Sequence, residues 1–255
     1  MPVELLTIPC LSDNYAYLIH DTASGATAVV DVPEAAPVLA ALDKTGWRLT
    51  DILLTHHHDD HIGGVAAVVA ATDAQVTGAK ADAHRLPKLD RAVAEEDRFA
   101  IGGAECAVLD VSGHTVGHIA YHFPIAGLAF TGDSLMAGGC GRLFEGTPDQ
   151  MWHSLSKLAA LPPETLICSG HEYTASNLRF AATLEPDNPH LISRIDRVAQ
   201  ARAQNRATVP SQLSEELATN PFLRANLPTL KAALGLTDAS DAACFAEMRS
   251  RKDRF

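Results

Sequence analysis

The chain has 255 residues and 47% hydrophobic content, enough to bury one large domain or one domain with an appendage. A formal charge of −11 argues against nucleic-acid or anionic-membrane partners, which need dense Lys and Arg to neutralise phosphates. Cys10, Cys106, Cys140, Cys168 and Cys244 are an odd, scattered set without a CxxC pair, a usage that fits a reduced compartment.

Met1 to Leu6 enters alternating apolar sequence with no basic leader, and no later apolar run is long enough to span a bilayer, so the expected location is the cytoplasm. From residue 3 to about 170 short apolar or β-branched runs alternate with helical patterns, which predicts an α/β domain. The first strand candidates are Leu5 to Ile8, Ala16 to Ile19 and Thr27 to Val30. A helix follows Pro33 and runs to Gly46, and then come a strand from Leu49 to Leu54, a helix from Val65 to Ala71 and a strand from Gln75 to Thr77. Further strands are expected at Glu105 to Val111, Ile119 to Phe123, Leu128 to Phe130 and Thr165 to Cys168. Between the last two, Thr147, Pro148 and Gln150 supply an N-cap, a proline at the first helical position and a capping-box partner. After His171 glycine becomes scarce and strand-like runs end, with helix starts at Asn188-Pro189 and around Ser211, Pro228 and Ser240. The reading is a domain of residues 1–173 followed by a helical domain of residues 174–255.

The chemistry concentrates in Thr55-His56-His57-His58-Asp59-Asp60-His61, between the Leu49 to Leu54 strand and a Gly63-Gly64 turn. In an extended loop His56, His58 and Asp60 alternate to one side, and the incoming helix turns His61, so one segment can address two metal centres. Imidazole and carboxylate without thiolate suit an open catalytic site for zinc, iron(II) or manganese. An HxH pair alone is more often solvated than functional. Here three further turns place His or Asp at a strand end: Gly113-His114-Thr115, Thr131-Gly132-Asp133 and Ser169-Gly170-His171.

These four segments resemble the metallo-β-lactamase superfamily, which implies an αββα sandwich followed here by a small all-α domain. Carried over by position, His56, His58 and His114 would hold a first metal ion, Asp60, His61 and His171 a second, with Asp133 bridging. The resemblance makes Asp60 and Asp133 the catalytic carboxylates and implies two divalent ions, zinc first and iron or manganese as alternatives. Val116 departs from the proline common in the GHT segment and contributes no ligand. His57 and Asp59 alternate away from the ligands, and His118 is taken as structural. His20, His84, His122, His153 and His190 are read as ordinary histidines, and Cys140 and Cys168 as buried small hydrophobes.

Three more segments, Ile8 to Tyr15, Gly139 to Thr147 and Met248 to Phe255, resemble glyoxalase II, the hydroxyacylglutathione hydrolases. This implies hydrolysis of S-D-lactoylglutathione to D-lactate and glutathione by a metal-activated water, with Arg142, Phe144, Tyr173, Arg249 and Lys252 lining the glutathione site. Relatives often carry lysine at position 142 and tyrosine at position 144, so the cation is kept and a hydroxyl is lost. Without the surrounding match, Arg249 and Lys252 would read as a frayed, solvated helix end. The alternative activity within the superfamily is a persulfide dioxygenase. The expected partner is a small glutathione thioester, with no nucleic acid or membrane, and the expected state is a monomer.

Overall fold

A computed structural model describes residues 3–255. Met1 and Pro2, where the leaderless start was read, lie outside the described residues. The chain folds as two compact units: residues up to Asp110 with Val116–Gly132, and Val111–Thr115 with Asp133–Phe255.

In the first unit β1 (Val3–Cys10), β2 (Asn14–Asp21), β3 (Thr27–Val30), β4 (Leu49–Leu53), β5 (Gln75–Ala79) and β6 (Arg91–Val93) form one sheet in chain order. Pairing is antiparallel from β1 to β3 and parallel from β3 to β6. Parallel neighbours need long crossovers. These are α1 (Ala35–Thr45) between β3 and β4, and α2 (Asp59–Ile62) with α3 (Val65–Thr72) between β4 and β5. The α1 helix stops because Gly46 adopts a left-handed φ of 72° and its N–H caps the Leu42 carbonyl. An antiparallel run follows, with β7 (Arg98–Ile101), β8 (Ala104–Asp110), β9 (Ile119–Phe123) and β10 (Leu128–Gly132) each paired to the next. Residues from the two sheets meet in the interior, where Tyr17 packs edge-on against Phe130 at 5.5 Å. The Tyr121 hydroxyl there donates to the Leu54 carbonyl at 2.9 Å, satisfying the chain where β4 ends and the histidine loop begins.

The second unit holds the hairpin β11 (Leu135–Met136) and β12 (Gly139–Cys140), α4 (Pro148–Ala159), β13 (Leu166–Ser169), α5 (Thr174–Leu184), α6 (Pro189–Ala203), β14 (Ser211–Gln212), α7 (Leu213–Thr219), α8 (Pro228–Leu234) and α9 (Asp241–Asp253). Both halves of the Thr147–Gln150 capping box form, and Asn188 and Ser240 cap α6 and α9. Ser211 corrects one expectation. A helix, α7, does begin near it at Leu213, but Ser211 itself pairs Ile167 in a two-residue strand, so strands do not end at His171. Strands β6 and β7 escape the sequence reading because each opens on an arginine and runs for only three or four residues, too short for alternation to register.

Candidate metal centre

The histidine loop leaves the buried end of β4, and α2 starts within it: His58 is the last extended residue, and Asp59 and Asp60 occupy the first helical turn. Carboxylates are favoured at that end of a helix. The change from extended to helical backbone turns His61 inward, where it is fully buried while Asp59 is exposed. Gly64 lets α3 begin close beneath, since a Cβ there would lie 2.5 Å from the Ala35 nitrogen.

Within the first unit three of the ligand candidates, His56, Asp60 and His61, are held from behind. His61 donates through Nδ1 to Asp31 Oδ2 at 2.8 Å. The Thr55 hydroxyl donates to the same oxygen at 2.8 Å, and the Thr55 N–H to Asp31 Oδ1 at 2.9 Å. Because that hydroxyl spends its proton on Asp31, its oxygen accepts from His56 Nδ1 at 3.0 Å. Both rings therefore take the tautomer that carries a lone pair on Nε2, the arrangement that outer hydrogen bonds impose on metal-binding histidines. Asn14 donates to both the backbone and side-chain oxygens of Asp60, at 3.0 Å each. Asp31, His56 and His61 could by themselves be grouped as a three-donor set, but the Asp31 oxygens are already spent on Thr55 and His61. Asp31 thus orients a candidate ligand, a role the sequence reading missed. Its signal was a lone acid ending the apolar run Ala28-Val29-Val30, held at a φ of 54°.

His57 and His118 have other work. His57 points its Nδ1 at Asp82, 3.0 Å away, and Asp82 also accepts from Arg85 Nε at 3.0 Å. His118 is fully buried and stacks on His56 with centroids 4.6 Å apart. His20 stacks on Trp47 at 4.4 Å, an ordinary packing contact.

In the second unit Asp133 Oδ2 lies 3.5 Å from His114 Nε2 and 3.3 Å from His171 Nε2. His114 donates through Nδ1 to the Arg142 carbonyl at 2.8 Å, which again leaves the lone pair on Nε2. These spacings test whether a metal fits. Two donors about 2.0–2.1 Å from a tetrahedral zinc sit roughly 3.3–3.4 Å apart. The His114–Asp133 and His171–Asp133 separations match, as does the 3.2 Å between His56 Nε2 and His58 Nδ1 in the first unit. His61 Nε2 and Asp60 Oδ2 are more widely spaced at 3.8 Å.

Beside these candidate ligands the second unit presents aromatic and cationic groups. Tyr173 stacks on His171 at 4.6 Å and 7°, and Phe144 meets His114 edge-on at 5.2 Å. Both rings reach solvent, Phe144 with 63% exposure. Arg249 is not a frayed helix-end residue: it is 4% exposed, with NH1 donating to the Cys140 carbonyl at 2.9 Å and NH2 to Asp253 at 2.8 Å. Lys252 sits over the Phe180 and Phe255 rings. Its ammonium pKa is pushed down to about 8, first by burial and then by Arg249, Arg179 and Arg142, with Asp253 opposing. Arg142 is largely exposed, 3.9 Å from Asp253. Burial pushes the Cys140 thiol up to about 11 and Cys168 higher still, so neither is a nucleophile.

Two family models cover the chain: the metallo-β-lactamase superfamily over residues 12–171 and the hydroxyacylglutathione hydrolase C-terminus over residues 172–255. A hydroxyacylglutathione hydrolase from Cereibacter sphaeroides is 69% identical across the full length of both chains. This chain belongs to the hydroxyacylglutathione hydrolase family. Its fold is that of the metallo-β-lactamases followed by a helical C-terminal part. The B3 metallo-β-lactamase BLEG-1 superposes with a TM-score of 0.67, at 21% identity over 86% of this chain and 99% of that one. TTHA1623, solved in a di-iron-bound form, is 32% identical over 66% of this chain and 92% of its own, with a TM-score of 0.57. The full-length matches favour the hydrolase over the persulfide dioxygenase alternative. Among the described residues no helix is long and apolar enough to cross a membrane.

Proposed function

We propose that the chain hydrolyses S-(2-hydroxyacyl)glutathione thioesters, chiefly S-D-lactoylglutathione to D-lactate and glutathione. The metal ligands in this proposal are His56, His58, Asp60 and His61 from the first unit and His114, Asp133 and His171 from the second. The observation that carries the metal reading is that Asp31, Thr55 and the Arg142 carbonyl fix three imidazoles in the tautomer a divalent ion needs. The substrate reading is supported by the full-length match to a protein of that name. Zinc suits the donor set, and the di-iron form of TTHA1623 supports iron as an alternative.

A metal pair held there would supply a water acidic enough to act as nucleophile near neutral pH and a Lewis acid for the thioester carbonyl. The protein's own groups do the rest. Asp31 and the Arg142 carbonyl hold His61 and His114 in orientation, so little reorganisation accompanies the reaction. Tyr173 and Phe144 offer aromatic walls, and Lys252 and Arg142 offer cations to the carboxylates of the glutathione moiety. Arg249, already committed to Cys140 and Asp253, holds that cationic face in shape and adds its charge to it. The leaving thiolate has a conjugate acid of pKa about 8.5, so no strong general acid is required.

In this proposal residues 1–173 carry the metals and residues 174–255 complete the glutathione site, and the protein acts as a cytoplasmic monomer. The deciding experiment is hydrolysis of S-D-lactoylglutathione by metal-replete and chelated protein. Activity that survives complete metal removal, or metal-replete protein without thioesterase activity, would refute the reading.

A further inference from the structure

Between Asp133 and Arg142 the chain makes the β11–β12 hairpin, pairing Leu135 with Cys140 and Met136 with Gly139. Two residues per strand do not hold themselves together in water. Four backbone polar groups at its tip are instead taken by side chains of the second unit. Asn220, fully buried at the end of α7, donates from Nδ2 to the Met136 carbonyl at 3.1 Å and the Gly139 carbonyl at 2.9 Å. Asn177 of α5 donates to the Ala137 carbonyl at 3.1 Å. Glu216 of α7, also fully buried, accepts the Gly138 N–H at 2.7 Å and an Asn220 proton at 3.1 Å. Its other oxygen is ion-paired with Arg194 of α6, itself 1% exposed. Arg194 is fixed in turn by the Thr219 hydroxyl at 2.7 Å and by Glu215 at 3.2 Å. The hairpin lies flush on α5: a Cβ at Gly138 would strike Leu178 at 2.7 Å, and one at Gly139 would strike Asn177 at 2.6 Å.

The other end of the hairpin carries the site. Gly141 donates to the Ser134 carbonyl at 3.1 Å, and a Cβ on it would lie 2.0 Å from the Asp133 carbonyl oxygen. The Cys140 carbonyl holds Arg249, and the Arg142 carbonyl orients His114. A displacement of the hairpin therefore moves Asp133, His114 and Arg249 together. Nor is the buried charge explained by stability. An ion pair taken out of water is often replaced by apolar residues at no loss, whereas one stripped of a partner is costly. What a carboxylate supplies is direction, since it accepts protons only and fixes where the Gly138 N–H must lie.

We propose that Arg194, Glu216 and Asn220 form a positioning device that sets the β11–β12 hairpin and, through it, the Asp133 carboxylate and the His114 ring. The proposal rests on the hydrolase reading only for its kinetic consequence. Asn220→Asp keeps the volume and the oxygen that accepts the Phe222 N–H but turns the donor facing Met136 and Gly139 into an acceptor. Asn177→Ala removes a single bond to the hairpin, and it serves if Asn220→Asp does not fold. Leu42→Ala, at a buried position near the C-terminal end of α1 in the first unit, is a destabilising control outside the hairpin network.

Three readouts are taken on the full chain: amide hydrogen exchange of residues 135–141 in metal-free protein, zinc retained after dialysis, and kcat against KM for S-D-lactoylglutathione. Both Asn variants are expected to speed hairpin exchange by about tenfold or more and to retain less zinc. Their kcat should fall more than KM rises. Leu42→Ala should lower the melting temperature and leave hairpin exchange, zinc and kcat at parental values. If the Asn variants lower melting temperature as Leu42→Ala does, with unchanged hairpin exchange and zinc retention, the network is structural only and the proposal is overturned. Should the parent not hydrolyse the thioester, exchange and zinc still decide the positioning claim, and the hydrolase reading alone fails.

Discussion

Replacing Asp31 by Asn separates the orienting carboxylate from the backbone that carries it. Asn tolerates the left-handed φ of 54° at this position, so the substitution adds no backbone cost and leaves the side-chain shape intact. The carboxylate receives three donors, the Thr55 N–H on one oxygen and the Thr55 hydroxyl and His61 Nδ1 on the other. A carboxamide has one acceptor oxygen, so either orientation sets its NH2 against a buried donor. Losing a hydrogen bond to a charged acceptor costs about 1.5–3 kcal/mol. Removing an outer partner of a ligating histidine lowers metal affinity about 10- to 100-fold, which corresponds to about 1.4–2.7 kcal/mol, so the two estimates agree. The assay is competition with a chelator at neutral pH, alongside thermal unfolding of metal-free protein. Each kcal/mol should lower the melting temperature by about 2–4 °C in a chain of this size. If the melting temperature falls as expected while metal affinity stays within twofold of the parent, Asp31 braces the loop without orienting His61, and the tautomer argument is wrong.

The remaining predictions probe the metal, the cation and the packing. Asp133→Ala should lose thioesterase activity and retain less than the full pair of metal ions on dialysis, as metal analysis of the purified variant would show; two ions with near-parental activity would remove Asp133 from the centre. Lys252, with its pKa near 8, is charged below that pH and neutral above it. KM for the anionic thioester should therefore rise as pH passes upward through about 8, and Lys252→Ala should have a high KM that lacks this limb, measured as KM against pH. Gly117→Ala should destabilise the fold by about 1–3 kcal/mol, because its Cβ would fall 2.2 Å from Asp82 Cγ and push that carboxylate off His57; denaturant unfolding checks it, and an unchanged midpoint would contradict the close packing.

Local sequence was enough for the elements whose signals are local. The Thr147–Gln150 box, the Gly46 stop, the Asn188 and Ser240 caps and the fully buried runs of β3 and β9 each depend on residues within a few positions. The histidine loop was legible for the same reason: a strand end, alternation and a glycine turn together announce converging ligands. Legible too was the family, because its motifs are short and contiguous. What the chain order could not show is which distant group faces each ligand. Asp31 lies far from His61 in sequence, and the Arg142 carbonyl that orients His114 is a backbone atom that any residue would supply. The Ser211–Gln212 strand exists only because β13 offers it an edge. Local pattern by itself would leave Arg249 a solvated cation at a helix end, yet folding buries it against Cys140 and Asp253. Residue types thus determined which chemistry this protein can hold. Tertiary structure alone decided the tautomers, the burial of charge and the partners of the β11–β12 hairpin, because hydrogen bonds and desolvation depend on neighbours brought together by the fold and not on neighbours in the chain.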